Sequence, residues 1–218
     1  MPAAFIVDAV RSPIGKRNGS LRGWHPVDLS AVVVEALLRR TGADPAVVDD
    51  VIWGCVSQTG EQGLNIGRWV GLAAGLPEAV PGVTIDRQCG SSQQALHFAA
   101  QGVMAGVYDV VVVGGVESMT RVPMGSTMQQ GPGLPFGSRI LSRYALVPQG
   151  LSAEMVAEQW HLTREALDAL SLESHRRAAG AWDEGRFATQ VVAVEGEAGA
   201  LAVDEAIRRE TSPEALAG

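Results

Sequence analysis

The sequence predicts an α/β fold: a mostly parallel sheet with helices on both faces. Three observations carry this. Apolar runs recur at residues 4–10, 51–56, 83–86 and 109–114, and such continuous runs suit strands covered on both sides. Segments with helical spacing alternate with these runs, the pattern of a parallel sheet with right-handed crossovers. Gly, Ala and Val abound while aromatics are 5%, which suits helices packed closely on a sheet.

Each element has a local reason. Residues 4–10 read as the first strand, followed by a loop through Ser12-Pro13 and Asn18-Gly19. Pro26 opens a helix that runs to Arg40 and is ended by Gly42. Asp44-Pro45-Ala46 starts a short helical turn, and residues 51–56 form the second strand, with Cys55 inside it as packing. Residues 65–75 read as a helix with Ile66, Trp69, Val70 and Ala73 on one stripe, broken by Pro77. The third strand covers residues 83–86. The helix after it places Ala95, Phe98, Ala99, Gly102, Val103 and Gly106 on one face. Residues 109–114 are the fourth strand.

The character then changes. Residues 123–150 are rich in Gly, Pro, Ser and Met and read as a long functional loop. Two helices follow, residues 152–161 and a second one with Thr163 as N-cap running to about residue 184. Residues 190–194 and 200–203 suggest a hairpin around Gly196 and Gly199, and Ser212-Pro213-Glu214 begins another helix. The division expected is an α/β domain over residues 1–120 and a second, mainly helical domain over residues 121–218.

Composition excludes several functions. At 46% hydrophobic and 19% charged, the 218-residue chain can bury a sizeable core. A net charge of −7 with a single lysine, Lys16, offers no basic surface for nucleic acid. Two cysteines make no disulfide scaffold, and with no long apolar run the expected setting is cytoplasmic, away from the membrane.

Ligands in open parallel sheets bind beyond the carboxyl ends of the strands. Cys89 stands there, between the third strand and its helix, with Gly90, Ser91 and Ser92 supplying small, cap-forming residues. The unpaired N–H groups of a helix start favour negative charge, which makes a thiolate placed there a better nucleophile. On its own the residue is equally readable as a small buried hydrophobe. Gly114-Gly115-Val116-Glu117-Ser118-Met119 follows the fourth strand and would open onto the same crevice.

The stretch Asp86-Arg87-Gln88-Cys89-Gly90-Ser91-Ser92-Gln93-Gln94-Ala95 resembles the nucleophile motif of thiolases (acetyl-CoA acetyltransferases and 3-ketoacyl-CoA thiolases). Val7-Asp8-Ala9-Val10-Arg11-Ser12-Pro13-Ile14-Gly15 is similar to the family's opening strand and loop, and Gly114-Gly115-Val116-Glu117-Ser118-Met119-Thr120 to its fourth-strand turn. Ala153-Glu154-Met155-Val156-Ala157, residues 171–179 and Asp204-Glu205-Ala206-Ile207-Arg208 resemble its loop domain. The resemblance implies the N-terminal half of a thiolase-like fold plus most of a mainly helical loop domain that covers coenzyme A. It implies that Cys89 takes an acyl group from an acyl-CoA, with its own N–H as an oxyanion donor, and passes it on in a ping-pong cycle. It places Arg208 near the adenine of coenzyme A. Where many thiolases carry His-Met-Gly, this chain has Pro148-Gln149-Gly150, so Gln149 and Gly150 would border the acyl or pantetheine tail with a polar group. The coenzyme A thioester is the substrate, and no metal or further cofactor is implied.

Thiolase chemistry also needs a histidine base and a second acid–base cysteine. The family's His-Pro-x-Gly, Asn-Glu-Ala and Cys-x-Gly-Gly-Gly motifs are not found in these 218 residues. His97 lies roughly 12 Å along the helix from Cys89 at 1.5 Å per residue. His25 opens a helix, and His161 and His175 fall in the loop domain. The expected function is therefore an acyltransferase component that needs a second chain or a missing half, joined in a homo- or hetero-oligomer. The alternative is a non-catalytic coenzyme A-binding or assembly subunit. A ketoacyl synthase would carry a different cysteine neighbourhood.

Overall fold

Helix α1 (Pro26–Thr41) shows how locally this fold is specified. Proline stands at its first position, where no N–H is needed, and the His25 ring accepts from the Val27 N–H at 3.3 Å. Gly42 ends it in the left-handed conformation at φ 65°, its N–H bonded to the Leu38 carbonyl. The structure is a computed structural model that describes residues 3–129, 131–196 and 199–217.

After α1 come a 3₁₀ turn (Pro45–Val47), strand β1 (Asp50–Gly54), helix α2 (Ile66–Ala73), strand β2 (Gly82–Ile85), helix α3 (Ser91–Met104) and strand β3 (Val111–Gly115). The strands form a parallel sheet in the order β2-β1-β3, with Ile52 beside Val83 on one side and Val113 on the other. The central strand alternates between two cores. Val51 and Trp53 pack with Ala31 and Val34 of α1 and with Ile66 and Val70 of α2. Ile52 packs with Ala95 and Ala99 of α3. Fully burying Ile66 or Val70 contributes about 1.5–3 kcal/mol each. Helices therefore cover both faces, as the sequence pattern predicts.

Some expectations are corrected. Residues 4–10 form no strand. Phe5, Ile6 and Val7 are exposed, and the segment is tied to the fold by an ion pair of Asp8 with Arg40 of α1 at 3.0 Å and by an isolated bridge of Arg11 to Val191. A strand needs a neighbour to bond, and the edge of β3 stands apart from this segment across a groove. Trp69 and Phe98 do not belong to the buried faces of α2 and α3; both are over two-fifths exposed. Small residues take those places, Gly67 and Gly71 on α2 and Ala95 and Ala99 on α3, because the helices approach the sheet closely. Cys55 lies just past β1 and is buried.

The described residues group into two compact units. The first contains residues up to 129 and returns to take residues 188–205. Its return includes the short antiparallel pair β4 (Val194–Gly196) and β5 (Gly199–Leu201); the connecting residues of the expected hairpin, 197 and 198, lie outside the described residues. Asp204 receives both η nitrogens of Arg11 at 2.7 and 3.0 Å and the Ile14 N–H.

The second unit takes residues 131–187 and 206–217. It holds α4 (Ser138–Leu141), α5 (Gln149–Gln159), α6 (Arg164–Asp183) and α7 (Pro213–Ala217). The Thr163 side chain caps α6 by accepting from the Ala166 N–H, as the sequence predicts. Helix α5 begins three residues before the expected start, so Gln149 and Gly150 are helical. None of this unit's described residues is buried. Leu134, Tyr144, Leu151, Met155 and Trp160 all stand exposed.

Candidate active site

The site is built where β2 hands over to α3. The Asp86 side chain accepts from the Gln88 N–H at 2.7 Å, and Gln88 takes a left-handed φ of 49°. The chain then closes on itself: Gly90 N–H bonds to Arg87 O at 3.1 Å and Ser91 N–H to Gln88 O at 3.0 Å. Cys89 is the apex of this turn and is exposed, immediately before the Gly90 cap of α3. A Cβ at Gly90 would meet only Arg87 O at 3.5 Å, so the glycine leaves open space beside the thiol.

The base of the turn rests on the sheet. A Cβ at Gly54 would fall 2.4 Å from Ser92 N and 2.6 Å from Ser91 C, and one at Gly115 would fall 2.9 Å from Ser92 Cβ. Both glycines let α3 start directly on the carboxyl ends of β1 and β3. The Val116 N–H bonds to Gly54 O at 3.0 Å and the Cys55 N–H to Ile85 O at 3.1 Å, tying the three strand ends together.

The loop after β3 is held by a network that sequence reasoning missed. Glu117 accepts from the Val56 N–H at 2.8 Å, the Ser57 N–H at 3.2 Å and Gln62 Nε2 at 3.1 Å. Gln62 is fully buried and accepts in turn from the Ser118 N–H at 2.6 Å. Glu117 lies within a stretch already singled out, but nothing in the sequence marked Gln62. Gly115, expected to follow the fourth strand, instead ends β3.

The two thiols have opposite environments. Cys55 is 1% exposed, with Glu117 Oε2 4.0 Å from its sulfur. Burial first, then the charges of Glu117 and Asp86, push its thiol up to about 12. That leaves Cys89 as the accessible sulfur.

No histidine hydrogen-bonds to Cys89 among the described residues. His25 caps α1, His97 is exposed along α3, and His175 accepts from the Arg208 N–H at 3.1 Å. Gln149, Gly150 and Arg208 are all exposed and belong to the second unit, Cys89 to the first.

A groove of about 350 Å³ runs along the free edge of β3. Ile6 and Ala9 of the unpaired N-terminal segment border it, with Val33 and Leu37 of α1, Leu96 of α3 and Val113 of β3. No helix among the described residues is long and apolar enough to cross a membrane.

A family model described as "Thiolase, N-terminal domain" matches residues 4–218. Steroid 3-ketoacyl-CoA thiolase FadA6 of Mycobacterium tuberculosis is 49% identical over 226 residues, covering 100% of this chain and 55% of the relative. The 3-ketoacyl-CoA thiolase of Psychrobacter cryohalolentis is 47% identical over 219 residues, covering 97% of this chain and 55% of its own. That of Shewanella denitrificans is 44% identical over 225 residues, covering 100% and 57%. The chain spans about half the length of the curated relatives it matches.

Proposed function

The chain belongs to the thiolase family, and we propose that it supplies the acyl-accepting part of a 3-ketoacyl-CoA thiolase site. The observation that carries this reading is the contrast between its two sulfurs: Cys89 is exposed on a turn at the strand ends, and Cys55 is sealed beneath it.

In thiolysis the Cys89 sulfur attacks the 3-keto carbon, and its proton passes to a base. The bond between the keto carbon and C2 breaks, C2 takes a proton as acetyl-CoA leaves, and an acyl thioester remains on Cys89. The thiol of coenzyme A then attacks that thioester, releases the shortened acyl-CoA and returns the proton to Cys89. The Cys89 N–H is one donor to the oxyanion. We assign the base and the second proton carrier to a further polypeptide segment, as the family resemblance implies; in support, none of the four histidines hydrogen-bonds to Cys89 among the described residues, and His25 and His175 are engaged elsewhere. In the second unit, Arg208 contacts the adenine part of coenzyme A and the start of α5 at Gln149 and Gly150 borders its tail; exposure of all three supports this. The groove on β3 and the exposed apolar side chains of the second unit support assembly with a further copy or a complementary chain. Two free cysteines fit a cytoplasmic setting.

The experiment mixes this chain with a polypeptide carrying the remaining length of a relative, adds a 3-ketoacyl-CoA and free coenzyme A, and follows acetyl-CoA release. Turnover is expected from the mixture and not from Cys89→Ala, with an acyl adduct on the Cys89 peptide by mass spectrometry. Coenzyme A binding with no adduct on Cys89 in the mixture would overturn the catalytic reading in favour of a non-catalytic binding subunit.

A further inference from the structure

We propose that Ser91 is a positioning residue whose hydroxyl locks the turn at residues 87–90 and so fixes the aim of the Cys89 thiol. The proposal rests on the acyl-transfer reading of Cys89.

Ser91 is the first residue of α3, one position past the cap that serines favour, and its hydroxyl has no part in capping the helix. The cap is Gly90, with no side-chain bond to the helix N–H groups. The Ser91 hydroxyl points back across the turn instead. It accepts from the Arg87 N–H at 2.9 Å and donates to the Gln88 carbonyl at 2.6 Å. One hydroxyl thereby bonds the two residues before Cys89, while its own N–H bonds to the same Gln88 carbonyl.

The lock has a floor and a load. Ser91 is 5% exposed, and its Cβ lies so close to Gly54 that a methyl there would approach it to 2.9 Å. The load is Gln88, a non-glycine residue held at a left-handed φ of 49°, a conformation that persists only when its surroundings over-determine it. Asp86 holds the Gln88 N–H from one side and Ser91 holds its carbonyl from the other. Removing the hydroxyl leaves the Arg87 N–H without its acceptor and lets Gln88 relax. Cys89 follows directly and would lose its fixed direction. A displacement near 1 Å lowers a directed reaction about a hundredfold, whereas a reagent approaching from any side is far less sensitive.

The test uses the chain with Ser91→Ala, Ser91→Thr and the neighbouring control Ser92→Ala. Two alkylators are compared. Iodoacetamide reaches the thiol from any direction. Chloroacetyl-CoA must first be bound; the Cys89 sulfur then displaces chloride from the chloroacetyl carbon, one C–S bond forms, and the thiol proton goes to solvent. Backbone chemical shifts of Gln88 report its left-handed conformation directly. In Ser91→Ala the chloroacetyl-CoA rate should fall at least about tenfold while the iodoacetamide rate changes less than about threefold. The Gln88 shifts should leave their left-handed values. Ser91→Thr, which keeps the hydroxyl, should restore both readouts, and Ser92→Ala should move neither.

Unchanged Gln88 shifts in Ser91→Ala would overturn the proposal, as would an unchanged ratio of the two rates. So would exposure of Cys55 to iodoacetamide in Ser91→Ala, since that reports general unfolding. A wild-type chain with no preference for chloroacetyl-CoA overturns the acyl-CoA reading alone, and the Gln88 shifts then decide the lock by themselves.

Discussion

Gln62 Nε2 donates to Glu117 Oε1 at 3.1 Å across 55 positions of sequence, and this bond joins the loops that leave β1 and β3. Gln62 also donates to Ser57 O and accepts from the Ser118 N–H. Replacing it with leucine removes a partner from the Ser118 N–H, the Ser57 carbonyl and Glu117 in a part-buried place. The expected loss is about 2–4 kcal/mol, since a polar group left unpaired costs about 1–3 when buried and less where water can reach it. Denaturant unfolding measures it, and a change under 0.5 kcal/mol, roughly the size of a neutral surface substitution, would show that the network is not structural.

The two sulfurs should separate cleanly under labelling. At neutral pH, iodoacetamide should modify Cys89 at least about a hundredfold faster than Cys55, because the nucleophile is the thiolate and burial keeps Cys55 protonated. A thiol pushed up to about 12 gains reactivity only as the pH climbs towards that value. Peptide mass mapping distinguishes the sites, and equal rates would contradict both assignments.

Acid should loosen the hold of Glu205 on the first loop. Its side chain accepts from the Ser20 hydroxyl at 2.6 Å, and from the Ser20 and Lys16 N–H groups, which hold its carboxyl below the ordinary glutamate range. The Ser20 hydroxyl is the largest cause. A lowered native value means the stabilisation is present above the unfolded-state value of about 4.3 and fades as the pH falls through the native one. Wild type should therefore lose more stability than Glu205→Gln between neutral and acid pH. Parallel losses in a denaturant series at each pH would refute this.

Two glycines should respond in opposite directions. Gly54→Ala drives a methyl into the backbone of Ser91 and Ser92, so α3 must shift, at a cost of about 1–3 kcal/mol or more for overpacking. Gly180 lies inside α6 with nothing within 4 Å of its built Cβ. Gly180→Ala should therefore stabilise by about 0.5–1 kcal/mol through helix propensity. Thermal unfolding of the two variants beside wild type gives both signs at once.

The sequence by itself determined what depends on near neighbours. The ends of α1, the Thr163 cap of α6 and the position of Cys89 before α3 were legible because caps and turns are set by residues within four positions of one another. The covering of β1 on both faces was legible because its run is continuously apolar. Tertiary structure alone decided the rest. Residues 4–10 have a strand's composition and are not a strand, since pairing needs an edge to meet. Phe98 and Trp69 face outward because the close approach of helix to sheet leaves room for glycine and alanine there. Gln62 and Glu117 became partners only when β1 and β3 were laid side by side, and no local pattern encodes which strands will be adjacent.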